Sequence, residues 1–157
     1  VAGRVAQINV SLGGVPKRPV AAARVTLLGL EGDAHRDPER HGGPEHALCL
    51  FALERIEGLQ AEGHRVEPGT LGENLTLAGL DWSRVGVGDR FRVGADVLIE
   101  VTCFTAPCVN VRDQFLNGHY SRVSHKRYPG WSRVYARVLV PGEIRTGDPV
   151  IRLDGNR

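Results

Sequence analysis

Lysine is almost missing from this chain. Lys17 and Lys126 are the only two among 20 basic residues, and the rest are arginine. The net charge is +2, and no block of like charges occurs, which argues against a dedicated surface for a nucleic acid polymer. No apolar run approaches the ~18 residues a membrane span needs, and no basic-then-apolar leader opens the chain. Methionine is absent, so the initiator residue is not part of this sequence. Cysteine occurs three times, an odd and low count that argues against a secreted disulfide framework. These absences together predict a cytoplasmic protein with free thiols and no membrane partner.

What is present fits one ordinary domain, read here as spanning residues 1–157. A chain of this length buries roughly two-thirds of its unfolded surface and needs no staples. "RVAQINVSL" from Arg4 is β-branched and partly alternating, which predicts a strand that "GGVPKRP" then breaks. "ARVTLLGL" from Ala23 predicts a second strand. The polar stretch after it, rich in proline and glycine, is a long loop, and such loops are often functional. "EHALCLFALERIEGLQAEG" predicts a helix, because Leu48, Phe51, Ala52, Ile56 and Leu59 share one face at three- and four-residue spacing. Glu45 suits its first turn and Gly63 its end, and Cys49 then lies within the helix as a small buried hydrophobe. Downstream come short strands and tight turns. "VGVGDRFRVG" with "ADVLIEVT" predicts one hairpin, and "RVYARVLVPG" with "GDPVIRL" another. Seven or eight strands and one good helix predict a mostly β (α+β) domain curled into a small barrel, with short helical additions.

Four constellations can carry chemistry. The loop from Gly32 holds Asp33, His35, Arg36, His41, Gly42, Gly43 and His46. Its imidazoles and carboxylates are possible metal ligands, but their spacing matches no common metal pattern. Gly42 and Gly43 would instead let backbone N–H groups approach an anion, with the following helix start and Arg36 adding positive field. A solvated surface loop explains the same residues. "TLGENLTL" places Thr70, Glu73 and Asn74 on one turn, where Asn74 offers a donor and an acceptor to a heterocycle edge. An ordinary polar turn entering a strand is the plainer account of the same residues. "TCFTAPCVNV" puts Cys103 at a strand end and Cys108 after proline in a loop. A thiolate there is a ligand or a nucleophile, and a structural Cys108 stays open. Finally, "GHYSRVSHKRYPGW" mixes basic and aromatic side chains that can stack on a base. A loop with packed aromatics accounts for it as well.

Three of these motifs, in the order "GDAHRDPERHGGPEHAL", "GTLGENLTLAGLD" and "VGVGDRFRVG…EVTCFTAPC", closely resemble the molybdenum cofactor sulfurase C-terminal (MOSC) domain family. The resemblance is to its small stand-alone bacterial type, linked to 6-N-hydroxylaminopurine resistance. It runs from about Val5 to Cys108 and is weaker beyond. It implies a β-barrel, molybdenum cofactor (molybdopterin) as the bound group, and Cys108 as the position that binds molybdenum. It implies reduction of N-hydroxylated bases or related small molecules, with electrons from an external donor protein. His41, Gly42 and Gly43 match the family's H-G-G stretch, and Gly72, Glu73 and Asn74 its G-E-N turn; both are expected to line the pocket. The proton donor is expected to be His41, or else Asp33. A non-catalytic carrier of cofactor or sulfur, and a purely structural domain, are the competing readings. One departure stands out. Relatives often carry an arginine near the position of Thr105, and Arg24, Arg36 and Arg112 are the candidates to replace it.

Overall fold

The structure, a computed structural model, describes residues 2–11, 15–34 and 43–153. Its strands are β1 (Gly3–Val10), β2 (Arg18–Val20), β3 (Ala22–Thr26), β4 (Gly29–Leu30), β5 (Leu48–Ala52), β6 (Leu75–Ala78), β7 (Arg90–Val93), β8 (Val97–Phe104), β9 (Val134–Val140), β10 (Gly142–Arg145) and β11 (Pro149–Leu153). The single α-helix among the described residues, α1, spans Leu53–Ala61. Seven strands close into a barrel in the order β11, β7, β8, β9, β5, β6, β1, with β1 pairing β11 at Gly3 and Arg4 to complete the ring. β2 extends β1 beyond the closure, and β10, β3 and β4 form a small separate sheet. Closure leaves the barrel strands no open edge there and lets inward side chains fill the middle. Val5, Ile8, Leu50, Leu75, Phe91, Ile99, Ala136 and Val150, one or more from each wall, are all essentially inaccessible to solvent.

The mostly β barrel expected from the strand pattern is therefore what forms, although Ala23–Leu30, expected as one strand, turns back at Leu27 and Leu28 to give β3 and β4, and two further elements differ from expectation. The helix over 45–63 is half strand. Pro44–His46 make one 3-10 turn, Leu48–Ala52 are β5, and only Leu53–Ala61 are helical. All five residues of β5 are buried. A short continuous apolar run looks the same for a doubly buried strand and for a buried helix, so periodicity could not separate them. Here the run lies parallel to β6 and antiparallel to β9 in the barrel wall. Cys49 is accordingly on a strand, though it is buried as expected. Gly63 does follow the helix end, in a left-handed conformation with φ 99°.

The second difference concerns the last strands. β7 and β8 form the expected hairpin. β9 and β11 do not pair: β9 lies between β8 and β5, while β11 lies between β7 and β1. The intervening β10 leaves the barrel to pair with β3, which sends the chain around rather than back. The segment between β8 and β9 forms three 3-10 turns, Val109–Gln114, Leu116–Gly118 and Tyr120–Val123. Its aromatics are packed. Trp131 lies between the guanidinium groups of Arg55 (4.6 Å) and Arg122 (4.0 Å). Phe104 stacks on His125 at 3.5 Å.

Candidate functional site

Tyr135 organises the thiols. On β9 it is the register partner of Cys49 on β5 and of Cys103 on β8, so one phenol is flanked by two cysteines. A register shift between Val101 and Cys103 re-aims the end of β8. Burial pushes the Tyr135 hydroxyl well above the usual phenol range. The charge of Cys49, Cys103 and Cys108 adds in the same direction, and Arg133 opposes it. All three cysteines thus lie within electrostatic reach of one hydroxyl. They are free thiols. Cys49 is sealed in, and burial pushes its thiol up to about 11 against the pull of Arg133. Cys103 is half-buried, with Sγ 3.6 Å from His46 Nε2, and the His46 ring stacks on Tyr135 at 4.3 Å. Cys108 is partly exposed and sits just before the Val109–Gln114 turn, which it starts through a bond from Val111 N–H to its carbonyl (3.1 Å).

Arg133 joins the motifs. Its side chain is buried, and Nη1 donates to the Leu71 carbonyl at 2.6 Å in the T-L-G-E-N turn. Nη2 lies 3.4 Å from the Ala106 carbonyl, two residues before Cys108. The strand ladder continues past β8 here, because Thr105 N–H donates to the Arg133 carbonyl at 3.0 Å. A buried guanidinium thus reaches Ala106, the residue after Thr105, from Arg133 just before β9. Of the sequence candidates, Arg24 lies on β3 opposite Glu143, Arg112 lies on the turn after Cys108, and Arg36 lies outside the described residues.

The G-E-N turn is part of the framework. Asn74 is buried: its side-chain Oδ1 accepts from Cys49 N–H (2.9 Å) and its Nδ2 donates to Asp33 Oδ2 (2.9 Å). Asp33 also accepts from Lys17 Nζ (2.7 and 2.9 Å) and from Ser11 N–H (2.8 Å), so both carboxylate oxygens are engaged. Glu73 is fully buried, and burial raises its carboxyl pKa, opposed by N–H groups of the turn and by the Thr76 hydroxyl. Asn9 donates to the Glu73 carbonyl and to Thr76, which ties this network to β1. Gly43 has φ 85° and open space where a Cβ would stand, just before Pro44. His35, Arg36, His41 and Gly42 lie outside the described residues.

Sequence reasoning missed Lys17, His46 as a thiol neighbour, Arg133 and Tyr135. Nothing marks Arg133 among so many arginines, and Tyr135 reads as an ordinary strand aromatic. Lys17 did carry a signal: a lysine is the exception in this chain. Among the described residues no three histidine, cysteine or carboxylate side chains cluster as a protein-only metal site, and no helix is long and apolar enough to cross a membrane.

Comparison with known proteins follows the same lines. The family model of the MOSC domain matches residues 37–151. The chain is 32% identical over 136 residues to the uncharacterized protein YflK of Bacillus subtilis, covering 85% of this chain and 60% of YflK. It is 31% identical over 131 residues to protein YiiM of Escherichia coli, covering 80% of this chain and 57% of YiiM. The chain therefore spans a little over half the length of these relatives. The crystal structure of E. coli YiiM superposes with a TM-score of 0.75 at 26% identity, over 99% of this chain and 71% of that one. A protein of Gibberella moniliformis named a reductase is 31% identical over 135 residues, 82% of this chain and 23% of its own length.

Proposed function

Because the chain belongs to the MOSC domain family, we propose that it binds molybdenum cofactor through Cys108 and reduces N-hydroxylated bases or related small molecules. One observation carries this reading. Cys108 is a partly exposed thiol on the loop where the strand end, the G-E-N turn and the buried Arg133 guanidinium meet. The residues fit the group. A soft thiolate suits a molybdenum centre. Among the described residues no cluster of protein donors surrounds this thiol, which suits a metal that arrives with most of its ligands already in place. Arg133 Nε is buried without a partner among the described residues, so fixed positive charge stands beside the loop that would meet an anionic pterin.

In this reading Cys108 holds the metal, and the H-G-G stretch of His41, Gly42 and Gly43, with Arg36, binds the cofactor's anionic end. Glu73 and Asn74 act from beneath. Asn74 fixes the Cys49 backbone and Asp33, and Glu73 fills the turn that Arg133 grips. Asp33 acts by position, because Lys17, Ser11 and Asn74 already occupy its oxygens. The proton for the departing hydroxyl falls to His41. The bound cofactor supplies the two-electron redox chemistry. Overall, an N-hydroxylamine, two electrons and two protons give an amine and water, with the electrons from an external donor protein. The three cysteines among these 157 residues are too few to ligate a four-cysteine iron–sulfur cluster within this domain.

The test is metal and pterin analysis after expression in a host that makes the cofactor. Wild type should carry molybdenum and the Cys108→Ala variant should lose it; equal molybdenum in both overturns the assignment. A carrier role is favoured by the second partly exposed thiol, Cys103, in the same stretch. Mass spectrometry showing a persulfide on Cys108, with no reduction of a hydroxylamino base, would select it.

A further inference from the structure

A cleft of about 480 Å³ opens between the end of α1 and the turns that follow Cys108, and Arg65, Arg112, Asp113 and Gly118 are among its walls. The walls are pinned to one another. Arg65 N–H donates to the Gln114 carbonyl at 2.7 Å, and Leu116 N–H donates to His64 Nδ1 at 3.0 Å. Arg112 is positioned by its own stem, which lies so close over Gly118 that a Cβ there would meet Cγ at 3.1 Å.

The charge in this cleft is unbalanced. Neither Arg65 nor Arg112 has a carboxylate partner among the described residues. Glu62, the acidic residue next to this wall, is held bidentately by Arg122 (2.8 and 2.7 Å) and lies 3.4 Å from His64. Asp113 is the one carboxylate in the lining. Arg65 and Arg112 both line this one cleft, and guanidinium groups offer the forked donors that phosphate oxygens accept. Arg112 also lies four residues along a 3-10 turn from Cys108, about 8 Å at a rise of ~2 Å per residue.

From this we infer that the cleft is a binding site for a phosphate monoester on a small molecule, clamped by Arg65 and Arg112, with the rest of the molecule directed toward Cys108. Binding follows from the cleft alone. The consequence, that the substrate is a phosphorylated (nucleotide-level) N-hydroxylated compound, rests on the proposed role of Cys108. The same phosphate chemistry belongs to the cofactor itself, and the experiment separates the two sources.

Adenosine 5′-monophosphate, adenosine and inorganic phosphate are titrated calorimetrically into the protein from a host that cannot make the cofactor, and again into cofactor-loaded protein. The monophosphate should bind at least tenfold more tightly than adenosine or inorganic phosphate, in both preparations. Arg65→Gln and Arg112→Gln should each weaken it about tenfold, with unfolding midpoints unchanged. Cys108→Ala should leave it intact, so that failure of the metal assignment does not register here. Equal binding of adenosine and its monophosphate, or unchanged affinity in both arginine variants, overturns the site. Inorganic phosphate binding as tightly as the monophosphate, or loss of monophosphate binding only on cofactor loading, overturns the substrate assignment.

Discussion

Replacing Lys17 by methionine should expose how the loop from Gly32 is held. Lys17 Nζ lies 2.7 and 2.9 Å from the two oxygens of Asp33, and the side chains are only 7% and 1% exposed. Removing one partner of a buried pair leaves an uncompensated charge and costs about 3–5 kcal/mol. Asp33 keeps bonds from Ser11 N–H and the Asn74 amide, so the lower end applies. At about 2–4 °C per kcal/mol for a domain of this size, a loss of about 3 kcal/mol lowers the melting temperature by roughly 6–12 °C. Asp33→Asn has its own defect, because an amide introduced there would face the Asn74 amide as donor against donor. That defect is present with and without Lys17, so a double-mutant cycle cancels it. Urea unfolding of wild type, K17M, D33N and the double variant should give a coupling of about 2–3 kcal/mol with unchanged slopes. A coupling below about 0.5 kcal/mol would mean that the pair does not anchor the loop.

Other sites yield independent tests. Glu73 has its pKa raised by burial, so the stability its carboxyl contributes is full below the unfolded value of 4.5 and is lost as pH rises through the higher folded value. Glu73→Gln should therefore gain stability relative to wild type between pH 4 and pH 8; parallel stability–pH curves would refute this. Cys49, with its thiol near 11, stays protonated and covered at pH 8. A disulfide reagent should label Cys103 and Cys108 in the native protein and reach Cys49 only on unfolding, and rapid labelling of all three contradicts the burial. Gly58→Ala would ordinarily gain about 1 kcal/mol inside a helix. Here the new Cβ would stand 2.8 Å from the Trp131 ring, which Arg55 and Arg122 sandwich, so a loss of about 1–3 kcal/mol is expected. A more stable variant would show that the tryptophan can move aside.

Where the sequence spoke through turns and alternation, it was legible. β1, β6 and the β7–β8 hairpin follow from β-branched runs bounded by glycine, and the barrel follows from their number. β5 was not legible, because all of Leu48–Ala52 are buried, and a continuous apolar run satisfies the helical spacing of Leu48, Phe51 and Ala52 while forming a doubly covered strand. The pairing of β9 and β11 was not legible either. Adjacent strands in sequence suggest a hairpin, and only β3, more than a hundred residues earlier, draws β10 away. At the candidate site, motif order singles out Cys108 and the G-E-N turn for the proposed role. The roles of Arg133 and Tyr135 could not be read from it, since both depend on what lies opposite them across the barrel wall.

The motifs also divide the work differently than their spacing suggests. Asp33 belongs to the G-D-A-H stretch and Asn74 to the G-E-N turn, 41 residues apart, yet a hydrogen bond joins them, and Asp33 in turn holds the buried Lys17. Leu71 of that same turn accepts from Arg133, whose second amino group reaches toward the A-P-C loop. The three motifs are thus one connected polar framework, with Cys108 at its exposed end. The side chains of Asp33, Asn74 and Arg133 are each buried and bonded, so none can be altered singly without leaving a polar group unsatisfied. That is a physical reason for such residues to travel together in one chain even where they never touch a ligand. It implies that variants of Asp33, Asn74 and Arg133 should be judged first by stability, and only those with unchanged unfolding midpoints by activity.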